Sequence, residues 1–376
     1  MVNHHVNYYR IAAGRQAVDR RSPLAGLLHS THSMPCRDIL VLGASVGGVE
    51  ALSQVVRGLP QNYPGVVLVV LHIPPDHQSF LPAILERAGR LPVSSASDGE
   101  ELRPGRIYVA PPDHHLLVKN GTMAVVRGPR ENRHRPAIDP LFRSAARAYG
   151  PRVVGVILSG SLDDGTAGLI AVKVRGGVAI VQEPSEALSS QMPRNVMRYL
   201  EVDHVLPVAQ IGPLAASLAC EEVSMDEASP PSEEMVQESR IAEFDLGSME
   251  NEDKPGTLAP ITCPDCHGNL WEIQEGDLLR FRCRVGHALS PESLVESHND
   301  SVEQALWEAL RSLEERIVLR KRLIGQARER KLTNLVEHFE GQLHRIEKQT
   351  APLRHLLIQN VRGTQQEETS RPPPRS

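Results

Sequence analysis

The stretch that decides the fold is D-I-L-V-L-G-A-S-V-G-G, residues 38–48. Its first half carries four large aliphatic residues in a row, which is typical of a strand buried on both faces of a parallel sheet. Its second half consists of small residues around Ser45, and a helical pattern follows over residues 49–59. A strand, a tight turn and a helix in this order predict the start of a βαβ unit, with Ser45 at the sheet edge where ligands bind.

A second strand ends on a histidine. The apolar run 65–70 leads into L-H-I-P-P at residues 71–75, and the two prolines stop the strand directly after His72. A glycine-rich turn such as the one at Ser45 is also found in dinucleotide-binding folds, but those expect an acidic residue at the end of the next strand. A histidine 27 residues after Ser45 (72 − 45) instead predicts a general base beside a serine nucleophile.

A third strand ends on a pair of aspartates. The apolar run 153–158 precedes S-L-D-D-G at residues 161–165, and Asp164 is the residue that we expect to orient His72. Asp163 is the competing carboxylate, with helix capping as its structural role. Together with the serine, these residues predict a hydrolytic triad in the chain order Ser, His, Asp, which differs from that of α/β-hydrolases.

The whole chain sets limits on the class of protein. Its 376 residues suggest two domains plus connectors, and its net charge of −5 argues against a nucleic-acid binder. No apolar run reaches the roughly 20 residues needed to cross a bilayer, and no secretory signal is present, so we expect a cytoplasmic protein without membrane insertion. Five cysteines in such a chain do not predict a disulfide framework.

Six motifs in the α/β region resemble one known family. They are, with their first residues, G-A-S-V-G-G at Gly43, L-H-I-P-P at Leu71, Y-V-A-P-P-D at Tyr108, H-R-P-A-I-D-P-L-F-R-S at His134, G-V-I-L-S-G-S-L-D-D-G at Gly155 and M-P-R at Met192. In this order they are similar to the catalytic domain of CheB-type chemotaxis protein-glutamate methylesterases. The predicted fold class is accordingly α/β, a doubly wound, mostly parallel sheet, followed by a small zinc ribbon and an α-helical pair.

The resemblance implies a reaction and its partners. It assigns the nucleophile to Ser45, the base to His72 and the orienting carboxylate to Asp164, with no cofactor for catalysis. The implied reaction is hydrolysis of γ-glutamyl methyl esters on the helical cytoplasmic region of methylated chemoreceptors, in some members with glutamine deamidation. A methyltransferase or kinase of the same array is a further implied partner.

Two departures from the family pattern stand out. About 36 residues precede the first strand, too few for the receiver domain of well-known members, and Met34 is an alternative start. The family's frequent T-G-M-G is replaced by S-G-S-L at residues 159–162, so rate or substrate choice is expected to differ. His114 and His115 are expected at the rim of the site, mainly as a polar turn. The segment His134-Arg135-Pro136 is a weaker candidate for contact with an acidic substrate surface.

A cysteine module follows in the C-terminal third. Cys263, Cys266, Cys283 and His287 form the pattern C-x2-C-x16-C-x3-H around a hairpin signature, which predicts a ribbon that binds one structural zinc ion. Four protein ligands leave no open position, so the metal would not be catalytic. His267 is the competing imidazole, and Cys36 and Cys220 are expected to be unliganded.

Composition divides the rest of the chain. The acidic, serine- and proline-rich segment after the α/β region predicts a disordered tether that decouples the two domains. Apolar residues at 3- and 4-residue spacings then predict two helices with a break near residue 332 and an end or kink at Pro352. The expected divisions are a disordered extension 1–36, an α/β domain 37–220, a linker 221–258, a zinc ribbon 259–290, a helical hairpin or coiled coil 291–362 and a disordered tail 363–376.

Three functions are compatible with this organisation. The first is a serine hydrolase that demethylates receptor glutamates, docked by its ribbon and helices. The second is a non-catalytic adaptor that binds receptor helices, which does not explain why three triad residues occur together. The third is a nucleotide-binding regulator, which His72 disfavours.

Overall fold

The central element is a parallel seven-stranded sheet with β1 in its middle. The computed structural model of the chain describes residues 35–225, 229–243 and 256–369, without the side chains of residues 275 and 359–369, so the expected extension up to residue 34 and residues 370–376 lie outside it. The strand order is β3-β4-β2-β1-β7-β8-β9. The strands are β1 (Ile39–Ala44), β2 (Val66–Leu71), β3 (Val93–Ser95), β4 (Ile107–Val109), β7 (Val153–Ile157), β8 (Val178–Gln182) and β9 (His204–Leu206), with a separate hairpin of β5 (His115–Lys119) and β6 (Thr122–Val126).

Helices cover both faces of this sheet. Leu40 and Leu42 of β1 pack into one apolar cluster, whereas Ile39 and Val41 pack into the other, as the two-residue period of a strand requires. The predicted doubly wound α/β fold is confirmed. The helices of this domain are α1 (Gly48–Gly58), α2 (Leu81–Ala88), α3 (Ile138–Tyr149), α4 (Thr166–Val174), α5 (Gln191–Tyr199) and α6 (Val208–Leu218).

The register of the three middle strands sets out the candidate triad. Ala44 of β1 pairs with Leu71 of β2, so the next residues leave the sheet side by side, and the amide of His72 donates to the carbonyl of Ala44 at 3.2 Å. On the other side of β1, Gly43 pairs with Ile157 of β7. The carboxyl ends of β2, β1 and β7 therefore open onto one edge of the sheet.

The C-terminal third forms a second sheet and two long helices. The sheet has the order β10-β11-β12-β13. Its strands are antiparallel neighbours, and β11 and β12 form the predicted hairpin. Among the described residues, none of the helices combines the length and the apolarity needed to span a bilayer. The bounds are β10 (Thr257–Thr262), β11 (Asn269–Glu275), β12 (Leu278–Cys283), β13 (Ala288–Leu289), α7 (Glu233–Ala242), α8 (Pro291–Glu329) and α9 (Thr333–Thr369).

Two expectations for connecting segments are wrong. The acidic segment expected to be a disordered tether contains the helix α7, which Ser232 caps by accepting a hydrogen bond from the Met235 amide at 3.1 Å. Composition misled because Glu238 of this helix is not solvated but lies buried against arginines. The last helix also continues through Pro352 to Thr369, so residues 363–369 are helical and not the expected tail.

A buried network of charges joins the ribbon to the α/β domain. Glu238 accepts from Arg280 at 2.7 Å and from Arg282 at 3.0 Å, and Arg143 of α3 lies 3.2 Å from it. Arg143 also donates to Glu131 at 2.8 Å. All five side chains are at most 7% exposed, so the two domains are coupled through a shared buried surface and the expected decoupling is wrong.

The network makes a prediction about stability. Replacing Glu238 with alanine removes one of the two carboxylates that neutralise three buried arginines, which costs about 3–5 kcal/mol of unfolding free energy. The matched variant Glu234→Ala removes an exposed carboxylate from the same helix and should change stability by less than about 0.5 kcal/mol. Urea denaturation of both full-length variants measures the difference, and equal losses would contradict the role of the network.

The same carboxylate gives the prediction a pH dependence. Burial alone would raise the pKa of Glu238, but Arg280, Arg282 and Arg143 hold it well below its ordinary value of 4.5. A lowered folded-state pKa stabilises the fold above the unfolded pKa, and that contribution is lost as the pH falls through the folded value. The stability gap between the wild type and Glu238→Ala should therefore narrow below about pH 4.5.

Candidate active site

Ser45 stands on the turn between β1 and α1. Its amide donates to the carbonyl of Ser159 at 2.9 Å, which fixes the turn against the segment after β7. The hydroxyl of Ser159 in turn donates to the carbonyl of Val46 at 2.6 Å. Gly47 has φ 73°, a left-handed conformation that suits glycine and lets the chain enter α1 at once. The turn thus presents the Ser45 hydroxyl at the sheet edge.

His72 and Asp164 form a direct pair across β1. Nε2 of His72 lies 2.7 Å from Oδ2 of Asp164, and their side chains are 4% and 2% exposed. With the proton on Nε2 donated to the carboxylate, Nδ1 is left as the basic atom of the ring. Nδ1 is buried and makes no hydrogen bond within the described part of the chain. The ring therefore donates to the carboxylate through one nitrogen and keeps the other as an acceptor.

The Asp164 carboxylate is saturated with donors. Besides His72, its oxygens accept from the amides of Ile138 (2.7 Å), Asp139 (3.3 Å) and Gly165 (3.0 Å). The side-chain amide of Asn132 donates to it at 2.9 Å. Burial by itself would raise the pKa of Asp164, but the hydrogen bond and charge of His72 and the backbone donors hold it well below its usual range. The group is therefore an anion wherever the protein is folded near neutral pH.

A second histidine packs on the first. The rings of His72 and His134 are stacked with centroids 3.6 Å apart and planes 10° from parallel. Burial, and then repulsion from His72, lower the pKa of His134 to about 3. His134 therefore stays neutral and adds no second positive charge beside His72. Of the weaker sequence candidates for contact with an acidic surface, His134 is thus a packing partner of His72, and Arg135 borders the cavity.

Ser45 and His72 line one cavity of about 340 Å³. Its outer wall is formed by residues 128–136, here called the rim loop, whose Arg130, Arg133 and Arg135 side chains border the opening. Arg135 donates to Asp113 at 2.6 Å, and Asp113 also lines the cavity. The structure thus brings the serine and histidine to one wall with Asp164 behind them, beneath a mostly cationic rim.

The remaining sequence candidates lie elsewhere. Neither His114 nor His115 lines this cavity, so the expected rim position is wrong. His115 is fully buried, with Nε2 2.8 Å from the Pro129 carbonyl and Nδ1 accepting from the Ala137 amide at 3.2 Å. It is a support for the rim loop. Asp163 is also buried and does not contact His72; burial raises its pKa to about 7, although a hydrogen bond from Ser290 opposes this.

Two residues of the site were missed by sequence reasoning. Asn132 donates a hydrogen bond to Asp164. The Ser159 hydroxyl stabilises the serine turn by donating to the carbonyl of Val46 and accepting from the amide of Ser189 at 2.9 Å. Neither has a local sequence signature, because each acts across many residues. For Asn132, the one signal in the sequence is an amide side chain close to several acidic residues, and this pattern alone does not predict a hydrogen bond to Asp164.

Within residues 159–162, Gly160 lies directly beside the serine. A Cβ atom on Gly160 would lie 1.9 Å from Met192 Sδ and 2.9 Å from the Cβ of Ser45. Its amide donates to the Ser189 carbonyl at 3.0 Å. Only a glycine fits here without moving either neighbour, so this position transmits packing changes to Ser45.

The four metal-ligand candidates come together in the ribbon. The ligand atoms of Cys263, Cys266, Cys283 and His287 all lie within 4.8 Å of one another, and His267 is not in the group. The Cys266–Cys283 sulfur separation is 3.6 Å and both Cys263 and Cys283 lie 3.5–3.7 Å from Nδ1 of His287. A tetrahedral Zn²⁺ with Zn–S bonds of about 2.3 Å needs ligand separations of roughly 3.5–3.8 Å. The donor set and its spacing fit that ion.

The packing at Gly160 gives a prediction. Gly160→Ala should displace Ser45 or Met192 and slow the labelling of Ser45 by a fluorophosphonate roughly tenfold, because nucleophile placement is sensitive to small shifts. Gly341→Ala is the matched control, since a Cβ there meets no atom within 4 Å. The rate is measured by intact-protein mass spectrometry at matched thermal stability. An unchanged rate for Gly160→Ala would contradict the packing argument.

Comparison with known proteins matches the α/β domain. The CheB methylesterase family model matches residues 40–214. A protein-glutamate methylesterase/protein-glutamine glutaminase 2 of Anaeromyxobacter dehalogenans is 37% identical over 206 residues, covering 54% of this chain and 60% of that protein. One of Pseudomonas aeruginosa is 39% identical over 203 residues, covering 52% and 56%. The chain thus spans somewhat over half the length of these two relatives.

Shorter relatives are covered almost completely. A Leptospira interrogans protein, named provisionally in the same way, is 36% identical over 178 residues, covering 47% of this chain and 92% of that protein. The crystal structure of the Thermotoga maritima CheB methylesterase catalytic domain is 35% identical, with a TM-score of 0.47 and coverage of 48% of this chain and 98% of that one. The identity over nearly the whole of the Leptospira protein shows that the chain belongs to the CheB methylesterase family.

Proposed function

We propose that this protein hydrolyses γ-glutamyl methyl esters on the cytoplasmic helices of a chemoreceptor, with Ser45, His72 and Asp164 as its triad. The observation that carries the proposal is the 2.7 Å hydrogen bond between His72 and Asp164, at the wall of a cavity that Ser45 also lines. Membership of the CheB methylesterase family supports the choice of substrate class.

The chemistry follows from the free ring nitrogen. Oγ of Ser45 attacks the ester carbonyl carbon while Nδ1 of His72 takes the hydroxyl proton. When the tetrahedral adduct collapses, the C–O bond to the methoxy group breaks and the imidazolium returns the proton, so methanol leaves. Water then attacks the acyl-enzyme with His72 again as base, which releases glutamate and restores Ser45. Asp164 stabilises the imidazolium in both steps.

Backbone donors near Ser45 are suited to the oxyanion. The amides of Val46 and Gly47 stand at the start of α1, where the first N–H groups have no intrahelical acceptor. They lie at the positive end of the helix dipole, which favours a developing negative charge. The amide of Gly160, which lies beside Ser45, is engaged with the carbonyl of Ser189. The turn after Ser45 is therefore our choice for the oxyanion hole.

The same machinery extends to an amide substrate. In a glutamine side chain the leaving group is ammonia, and His72 would protonate it in place of methoxide. Two of the relatives carry glutaminase in their names. We therefore include deamidation in the proposal as a second reaction of the same site.

We further propose that the ribbon holds one structural zinc ion on Cys263, Cys266, Cys283 and His287. The support is the close approach of their four ligand atoms. Bound zinc would fix the two knuckles and supply no chemistry to the ester.

We assign contact with the receptor array to the antiparallel pair of helices α8 and α9. It exposes large apolar side chains, among them Val302, Trp307 and Leu319, on a surface outside the α/β domain. Amphipathic helices commonly recognise other helices through such side chains. A purely non-catalytic adaptor would use this surface as well, but it would need neither the buried pair nor Ser45 beside it.

The triad makes the first prediction of this proposal. Ser45→Ala and His72→Ala should each reduce methanol release from methylated receptor by at least about 10³-fold, and Asp164→Asn should leave a measurable residual rate. Double variants should lose little beyond the worst single variant, because the three residues act as a unit.

Ser53→Ala is the matched control for the nucleophile. Its hydroxyl, on α1, donates to the carbonyl of Val49 and does not line the cavity. It should release methanol at the wild-type rate. Full activity in a folded Ser45→Ala variant would contradict the triad assignment. If the wild type released no methanol, the result would favour the non-catalytic adaptor function.

The metal site makes the second prediction. Elemental analysis of the metal-replete full chain should find about one zinc per molecule, and Cys263→Ser should lower this figure, because four ligands are needed for the closed structural site. Cys220→Ser, an exposed thiol outside the group, should leave it unchanged. A metal-free wild type with an ordered ribbon would refute the assignment.

A further inference from the structure

Asn132 links the candidate triad to the ribbon of strands β10–β13 and the long helices α8 and α9, here together called the C-terminal module. Its side-chain amide donates to Asp164 at 2.9 Å and to Asp139 at 2.8 Å. Its side-chain carbonyl accepts from the amide of Ser290 at 3.0 Å, and its own amide donates to the carbonyl of Ala288 at 2.8 Å. Both polar atoms of the Asn132 side chain are therefore hydrogen-bonded: Nδ2 donates to the two aspartates and Oδ1 accepts from Ser290.

The backbone contact continues along the rim loop. The amide of Ala288 donates to the carbonyl of Arg130 at 3.2 Å, and residues Glu131 and Ala288 form an isolated parallel bridge. Strand β13 thus pairs with the loop that carries Asn132 and His134. A backbone pairing sets the position of the loop more firmly than side-chain contacts alone, since it fixes several φ and ψ angles at once.

Ser290 also reaches the residue before Asp164. Its hydroxyl donates to Oδ1 of Asp163 at 2.7 Å, and the same hydroxyl caps α8 by accepting from the Ser293 amide at 3.0 Å. The Ser293 hydroxyl lies 3.3 Å from the same carboxylate oxygen. The first turn of α8 is thereby fastened to the turn that presents Asp164.

Ion pairs add to the contact at the outer edge. Arg133 of the rim loop pairs with Asp300 of α8, and Arg130 lies 3.7 Å from Asp265, between two of the ribbon cysteines. These pairs are partly exposed and each is worth little alone. They show that two of the three cavity arginines face acids of the C-terminal module.

We propose that Ser290 is a positioning residue of the esterase site, acting through Asn132 to hold the Asp164 carboxylate in line with His72. The inference rests on the proposed function for its kinetic readout, and on the hydrogen-bond chain alone for its structural one. The C-terminal module is then part of the catalytic unit, not merely an appended docking device.

The backbone amide of Ser290 is the decisive atom, and it can be removed. Ser290 has φ −74°, a value that proline adopts, so Ser290→Pro deletes the N–H donor together with the hydroxyl, with little backbone strain. Ser290→Ala deletes only the hydroxyl and keeps the donor. Ser301→Ala is the matched control, because its hydroxyl donates within α8 to Ser297 and reaches no residue of the α/β domain.

The first readout is kinetic. With a small methyl ester and the full chain, Ser290→Pro should lower kcat roughly 10- to 100-fold with KM unchanged, since the base is misaligned while the cavity is intact. The acid limb of the kcat/KM profile should move to lower pH, because a displaced carboxylate stabilises the imidazolium less. Ser290→Ala should lose less than about threefold, and Ser301→Ala should behave as the wild type.

A double-variant cycle separates positioning from general damage. Asn132 has φ 48°, so Asn132→Gly removes the amide without backbone strain and should reproduce the Ser290→Pro defect. If the Ser290 amide acts through Asn132, adding Ser290→Pro to Asn132→Gly should cost no more than Ser290→Ala costs alone, because only the hydroxyl is then lost. Additive losses, or a wild-type kcat and pH profile in Ser290→Pro, would overturn the proposal.

The second readout needs no activity. The Nε2 proton of His72, hydrogen-bonded to Asp164, should exchange slowly with solvent in the NMR spectrum of the wild type and Ser301→Ala, and faster in Ser290→Pro and Asn132→Gly. A wild type that releases no methanol but shows this pattern would refute the proposed function and support the positioning role.

A final measurement covers the case in which Ser290→Pro does not fold. In Asn132→Gly the amide of Ser290 should lose its protection from hydrogen exchange, while the capped amide of Ser293 keeps it. Unchanged protection at Ser290 would show that the two residues are not coupled and would overturn the inference.

Discussion

The buried negative charge of Asp164 is the constraint on which the rest of the site depends. A carboxylate that is 2% exposed is tolerated only where donors replace its water. Here the donors are the His72 ring, the Asn132 side chain, the first two amides of α3 and the Gly165 amide. They come from four separate segments, so the site exists only while the end of β2, the rim loop, α3 and the turn before α4 are in register.

A second set of buried charges includes Glu131, which directly precedes Asn132 in the rim loop. Glu131 and Glu238 meet three arginines, one from α3 and two from β12. Well-packed apolar side chains could give similar stability, so the ion pairs are better understood as a device that sets one arrangement of the ribbon on the domain. An apolar contact would let β12 slide, whereas forked guanidinium groups accept only one placement of their carboxylates.

The sequence predicted what local patterns encode. Strands β1 and β2 end directly before Ser45 and His72, and β7 ends shortly before Asp164, because small, proline and glycine residues follow them. Cysteine spacing likewise marked the ribbon. It could not predict the bond from Ser290 to Asn132, since the two are 158 residues apart and neither has a distinctive neighbourhood. The helix α7 was missed for a related reason: an acid such as Glu238 indicates solvent unless its distant arginine partners are known.

The rim loop shows how these two charged centres are connected. Asn132 and Arg133 both have positive φ, 48° and 73°, which is costly for residues other than glycine and persists only where the surroundings fix the backbone. The conformation turns three successive side chains in three directions: Glu131 to the arginines of the ribbon, Asn132 to Asp164 and Arg133 to the cavity rim. A relaxed loop could satisfy at most some of these contacts. Because the ribbon and Asp164 each hold one of these adjacent residues, the strain is offset only when both are in place, and this physically couples the C-terminal module to the His72–Asp164 pair.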